Sequence, residues 1–207
     1  LLERGAILTA DMIKNVTNKE LKLLLQNTLE VRQQGVETVN RIRVMMVGSG
    51  AVGKTTLVER LREEKYTEGG KGMTDGIEMS TFKVKDIIFS AFDFAGQKEY
   101  SHTHTIFFSS GAIYLALYSP RAGGKDLLEE FLVMVKDCAP NAPIVLVTTR
   151  ADEEGSIINP QDERMLRAKY PKIVRLHAVD SKTGRGIEDL KNTLVEIAMT
   201  EPETTKK

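Results

Sequence analysis

The stretch GSGAVGKT, residues 48 to 55, sets three glycines, a lysine and a threonine where they could grip phosphate. Two chemistries share the pattern. Gly48, Gly50 and Gly53 satisfy the G-x-G-x-x-G dinucleotide fingerprint, while Gly48, Gly53, Lys54 and Thr55 satisfy the G-x-x-x-x-G-K-[ST] phosphate loop. Both put a glycine-rich turn between a strand and a helix and turn backbone N–H groups toward phosphate. A dinucleotide site wants an acidic residue about 20 residues further on, at the end of a second strand, to hold the ribose. That distance lands near Glu68, in a glycine-rich stretch with no strand before it. Lys54 and Thr55, by contrast, stand where a triphosphate needs them: the ammonium reaches the β and γ phosphates and the hydroxyl ligates Mg²⁺. The triphosphate reading is preferred, with Ser49, Gly50, Ala51, Val52 and Thr56 completing the binding stretch.

Asp93-Phe94-Ala95-Gly96-Gln97 extends that chemistry. An Asp at the carboxyl end of a strand beside a phosphate loop can hold Mg²⁺, directly or through water. Gly96 can offer its N–H to a γ-phosphate, and the Gln97 amide can orient an attacking water. Alone, D-x-x-G is a weak pattern; after a phosphate loop it is a strong one.

These residues need a scaffold, and the sequence from Arg41 onward supplies alternating strand and helix signals. RIRVMMV (41 to 47) leads into the loop, and TTLVERLREE (55 to 64) reads as the amphipathic helix after it. Residues 65 to 76 are polar and glycine-rich, hence a loop. IEMSTFKVK and DIIFSAFDF meet at Lys85-Asp86, too close for anything but a hairpin. Residues 112 to 119, 143 to 150 and 172 to 180 are short apolar runs of the buried parallel kind. Helices are expected at about 126 to 138, 160 to 170 and 186 to 199. The predicted fold is α/β: a doubly wound, six-stranded, mostly parallel sheet with one antiparallel hairpin strand. Residues 1 to 40 read as a helical extension or linker, 41 to 200 as the nucleotide-binding domain, and 201 to 207 as a frayed tail.

Composition sets the remaining limits. Lys plus Arg and Asp plus Glu number 29 each, so no global field argues for nucleic acid or a membrane surface. No apolar run reaches a membrane span and no signal peptide opens the chain. The single cysteine, Cys138, excludes an intramolecular disulfide framework and suits a reducing, cytoplasmic setting; it reads as a small packed residue at a helix end. Met45 and Met46 read as core filling. His102 and His104, two apart with no further ligand nearby, read as surface or loop packing rather than a metal pair. The chain opens on Leu, not Met, and is read as a piece of a longer protein.

Gly48 to Thr55, Thr74 in its glycine-rich loop and Asp93 to Gln97 resemble the Ras-type small GTPases. More narrowly, MTDGIEM, DFAGQKEYSHTH and SSGAIYLALYS resemble the Roc domains of Roco proteins, which include the leucine-rich-repeat kinases. The resemblance covers about residues 41 to 200. It implies a P-loop GTPase that binds GTP and GDP with Mg²⁺, held by Thr55, Thr74 and Asp93. It implies that Lys54 and Thr74 serve catalysis together with Gln97. It also implies neighbouring domains in the same chain, the first 40 residues being a connection from an upstream repeat region. Small GTPases usually read guanine with Asn-Lys-x-Asp; here Thr149-Arg150-Ala151-Asp152 takes the place. The Asp152 carboxylate can accept both N1–H and the exocyclic amine of guanine, donors that adenine does not present in that arrangement. Arg150 can lie along the base as Lys would. Thr149 is shorter than Asn and is expected to lose amide hydrogen bonds to the base and neighbouring loops. The last base-contacting loop, usually Ser-Ala-Lys, reads Asp180-Ser181-Lys182 and offers mainly a backbone N–H to the guanine O6; Asp180 reads equally well as a turn residue.

The expected function is a GTP-binding, slowly hydrolysing molecular switch. Loops 65 to 76 and 94 to 105 are expected to order around the γ-phosphate. Hydrolysis is expected to be slow because the first of these loops carries lysines (Lys65 and Lys71) but no arginine, with Arg121 a remote source of a transition-state arginine. A GTPase-activating partner or a facing protomer would then accelerate it. The competing expectation is a nucleotide-dependent scaffold or dimerisation module with negligible hydrolysis. An ATPase fits less well, for Asp152 suits guanine.

Overall fold

A computed structural model describes residues 41–63, 76–94, 108–119, 124–151 and 158–200. The chain divides into two units, Leu1–Val39 and Asn40–Lys207, and every described residue belongs to the second. The expectations for residues 1 to 40 and 201 to 207 therefore lie outside the described residues, as do those for His102, His104, Lys71 and Arg121.

The strands are β1 (Arg41–Val47), β2 (Ile77–Val84), β3 (Ile87–Phe94), β4 (Ala112–Tyr118), β5 (Ile144–Thr149) and β6 (Ile173–Val179). Between and after them run α1 (Lys54–Leu61), α2 (Gly124–Cys138), α3 (Pro160–Lys169) and α4 (Ile187–Thr200). They form one sheet in the order β2-β3-β1-β4-β5-β6, antiparallel only between β2 and β3 and parallel elsewhere. The hairpin closes at Lys85-Asp86, where Lys85 takes a left-handed conformation (φ 53°) as a tight two-residue turn requires. This is the doubly wound arrangement that the sequence predicts.

The burial pattern explains why these runs become strands. All seven residues of β4 and all six of β5 are buried, as strands covered on both faces must be. Alternate residues of β1 feed two cores. Ile42, Val44 and Met46 join Leu57 and Leu61 of α1 and Ile187, Leu190 and Leu194 of α4. Met45 and Val47 join Tyr114 and Ala116 of β4 and Leu128, Leu132 and Val135 of α2. Each fully buried leucine here is worth about 1.5–3 kcal/mol of removal from water. α3 packs more lightly: none of its residues is fully buried, and it is held by an Asn159 cap accepting from Gln161 and Asp162 N–H. Met45 and Met46 fill core as expected. Cys138 does not: it is exposed, and Ala139, one position on, takes the buried place.

Because β1, β3, β4, β5 and β6 all run the same way, their carboxyl ends share one edge of the sheet. Gly48, Ser119, Arg150 and Asp180 follow four of those ends, and Asp93 sits at the fifth. The chain winds outward from β1 in both directions, so this edge carries the topological switch point at which open α/β sheets bind ligands.

Candidate functional site

The phosphate loop rises from β1 and enters α1 at Gly53, whose φ of 100° only glycine adopts without strain. Gly48 is required for a different reason. A Cβ there would lie 2.9 Å from the Leu117 carbonyl oxygen and 3.1 Å from Val52 Cγ1, so the loop can hug β4 only without a side chain. Ala51 is left-handed as well (φ 58°), a strained state for a non-glycine residue of the kind that clusters at working sites. Ser49 and Val52 are buried, Gly50 and Ala51 exposed, and Thr56 lies half-buried in the first turn of α1. No side chain caps α1 and no acidic residue occupies its first turn, which leaves its N-terminal N–H groups suited to an anion.

Lys54 bends back into this loop. Its side chain is buried (6% exposed) and Nζ donates to the carbonyls of Gly48 and Ser49, both at 3.0 Å. Burial pulls its pKa below the usual lysine range, and the Asp93 carboxylate opposes that pull. Beside it, Thr55 Oγ1 donates to Asp93 Oδ2 at 2.5 Å, joining the first turn of α1 to the end of β3. A hydroxyl and a carboxylate meeting in this way offer the hard oxygen donors that Mg²⁺ prefers. Among the described residues no group of three or more His, Cys, Asp and Glu is arranged to hold a metal.

The second pole of the site lies at the ends of β5 and β6. Thr149 is buried (4% exposed) and its hydroxyl donates to the Val52 carbonyl at 2.7 Å, with the Tyr118 carbonyl at 3.3 Å. Thr149 has no amide to offer, but its hydroxyl makes a bond of its own to a neighbouring loop and ties β5 to the phosphate loop. Arg150 follows it in a left-handed conformation (φ 55°), and Ala151 N–H donates to Val179 O at 3.1 Å, drawing the loops after β5 and β6 together. Asp180 accepts from Lys182 N–H (2.8 Å), Thr183 N–H (3.3 Å) and the Thr183 hydroxyl (2.5 Å). Burial pushes the Asp180 carboxyl up, but the Thr183 hydroxyl, the two N–H groups and the Lys182 charge together outweigh it and hold it below the usual carboxylate range.

Residues 43–152, just over half of the chain, match the family described as "Ras of Complex, Roc, domain of DAPkinase". The chain belongs to the Roc family. Over 218 residues this Roc chain is 26% identical to "Leucine-rich repeat serine/threonine-protein kinase 1" of Caenorhabditis elegans, covering 90% of the chain and 9% of that protein. It is 26% identical over 171 residues to "GTP-binding protein RHO4" of Eremothecium gossypii, covering 77% and 65% respectively. Among solved structures it matches that of the Methanosarcina barkeri Roco2 RocCOR region bound to GDP. There the TM-score is 0.66 and the identity 27%, covering 80% of this chain and 51% of that one. The chain spans only 6% to 9% of the length of the first curated relatives it matches.

Gly48 to Thr56, Asp93, Thr149, Arg150 and Asp180 to Lys182 thus line one edge of the Roc sheet. Thr74, Gly96, Gln97 and Asp152 lie outside the described residues. Three features escaped sequence reasoning. The Thr149–Val52 bond spans 97 positions, and nothing local announces it. The strain at Ala51 needs backbone angles. Gly186, at φ 75°, has space for a hydrogen only: a Cβ would meet Ala178 O at 2.4 Å. The run T-G-R-G after Asp180 carried a signal for that last turn, with two glycines one residue apart.

Proposed function

We propose that this Roc chain binds GTP and GDP and hydrolyses GTP slowly to GDP and phosphate. The observation that carries the reading is the buried Lys54 ammonium inside the phosphate loop, next to the Thr55–Asp93 pair. The loop N–H groups from Ser49 to Lys54 would cradle the phosphates, and Lys54 would exchange its loop carbonyls for β and γ oxygens. Thr55, Asp93 and Thr74 would hold Mg²⁺, which when bound neutralises charge on those phosphates. On the base side Asp152 would accept from N1–H and the exocyclic amine, Arg150 would lie along the ring, and the 180–182 turn would meet O6. Gln97 would orient the water and Gly96 would meet the γ-phosphate, making the loops around them a switch. GDP in the Roco2 structure supports the choice of nucleotide.

Hydrolysis would be slow, since the loop of residues 65 to 76 holds Lys65 and Lys71 but no arginine. A facing protomer, a GTPase-activating partner or the neighbouring domains of a multidomain Roco chain would supply what is missing, in the cytoplasm. Among the described residues no helix is long and apolar enough to cross a membrane. Single-turnover hydrolysis over a range of chain concentrations tests this. The expected result is on the order of one turnover per many minutes or slower, falling further in Gln97→Leu. Tight GTP binding with no detectable hydrolysis would instead favour the scaffold or dimerisation module.

A further inference from the structure

The turn from Asp180 to Gly186 is closed on itself more completely than base contact alone requires. Asp180 N–H donates to Arg185 O at 3.0 Å and Gly184 N–H to Asp180 O at 2.8 Å. Lys182 and Thr183 N–H both go to the Asp180 carboxylate, and Arg185 N–H goes to the Thr183 hydroxyl at 3.3 Å. Among the hydrogen bonds of the described residues, the Ser181 N–H is the one from Asp180 to Arg185 not spent inside the turn. The carboxylate itself is turned into the loop: Oδ1 takes Lys182, Oδ2 takes both Thr183 donors, and the residue is 6% exposed. It has little left to offer a base directly.

The turn is also pinned in place. Gly186 lies so close to Ala178 O that the chain cannot slide past β6, and Gly184 lies against the Arg60 guanidinium of α1. The Ala151–Val179 bond sets the neighbouring base loop alongside. Thr149, meanwhile, spends its hydroxyl on the phosphate loop. Recognition of the purine 6-position therefore falls to a single backbone donor whose direction is fixed by its neighbours.

We propose that Asp180 is a positioning residue for guanine recognition: its carboxylate holds the Lys182 and Thr183 N–H groups inward and so presents the Ser181 N–H to the purine 6-oxygen. This rests on the nucleotide reading above and deepens it. Without the carboxylate, Lys182 and Thr183 N–H become competing donors and the turn loses its anchor. A nucleotide that carries a weak acceptor at position 6 but keeps N1–H and the 2-amino group should hardly notice, which separates positioning from mere stability.

Two probes used with the full 207-residue chain make the test: GDP and 6-thioguanosine diphosphate, whose sulfur is a weak acceptor. The wild-type chain should favour GDP by about tenfold. In Asp180→Ala, GDP affinity should fall about tenfold and the thio analogue less than about threefold, so that the preference collapses. Asp180→Asn keeps an acceptor for Lys182 and should retain the preference to within about threefold. If Asp180→Ala does not fold by circular dichroism, Thr183→Val, which removes one donor to the carboxylate, decides: its preference should narrow about threefold. An unchanged GDP-to-thio ratio in the folded variants, or equal loss of both nucleotides, would overturn the role of Asp180 alone. A folded wild-type chain that binds neither nucleotide would overturn the nucleotide reading beneath it.

Discussion

Replacing Lys54 by methionine keeps the buried stem and removes only the charge. The ammonium stays buried at a cost, since burial disfavours its charged form, and it is held by two loop carbonyls rather than by a full ion pair. Lys54→Met should therefore leave the melting temperature within about 4 °C of wild type. GTP affinity, measured by calorimetric titration with Mg²⁺, should fall on the order of a hundredfold, about 2.7 kcal/mol. Unchanged affinity in the folded variant would remove the phosphate-loop assignment and revive the dinucleotide alternative. Thr149 has the opposite profile. Thr149→Val keeps the shape but strips a buried donor from Val52 O and Tyr118 O, and should cost about 1–2 kcal/mol in urea unfolding. A cost near zero would mean that the hydroxyl does not couple β5 to the phosphate loop. Neither effect was legible in the local sequence: the Lys54 motif names a charge but not its burial, and the Thr149 bond depends on the β4–β5 register.

Secondary structure was legible where one periodicity dominated. The continuous apolar runs of β4 and β5 could only be doubly covered strands, and Lys85-Asp86 left room only for a hairpin. Helix ends moved by a residue or more, as α1 closes at Leu61 where amphipathic spacing runs on to Glu64. Cys138 was misread because helix periodicity leaves a terminal residue undecided between faces. The β6–α4 contact carries a pH dependence. His177 meets Thr193 Oγ1 at 2.9 Å; burial lowers its pKa below 6.5, with Asp189 opposing and Arg175 assisting. Below pH 6.5 the unfolded chain takes up a proton that the folded chain resists. This contribution to stability is therefore whole above 6.5 and declines as pH falls toward the lowered folded value. The melting temperature should drop between pH 7 and 5, and the drop should shrink in His177→Gln. An equal drop in the variant would assign the acid sensitivity elsewhere.

At the scale of the whole molecule, equal numbers of acidic and basic residues leave no long-range field to gather a partner. On the proposed nucleotide reading, specificity comes from the sheet edge, where β1 and β3 would present the phosphate side and β5 and β6 the base side. Competition against a fluorescent GDP by unlabelled GTP, GDP, ATP and ADP, with the full chain and Mg²⁺, tests that division most directly. Guanine nucleotides should compete at least about tenfold better than their adenine counterparts, about 1.4 kcal/mol, and Asp152→Ala should erase the difference. Equal potency of ATP and GTP in the wild-type chain, or full guanine preference in Asp152→Ala, would contradict it.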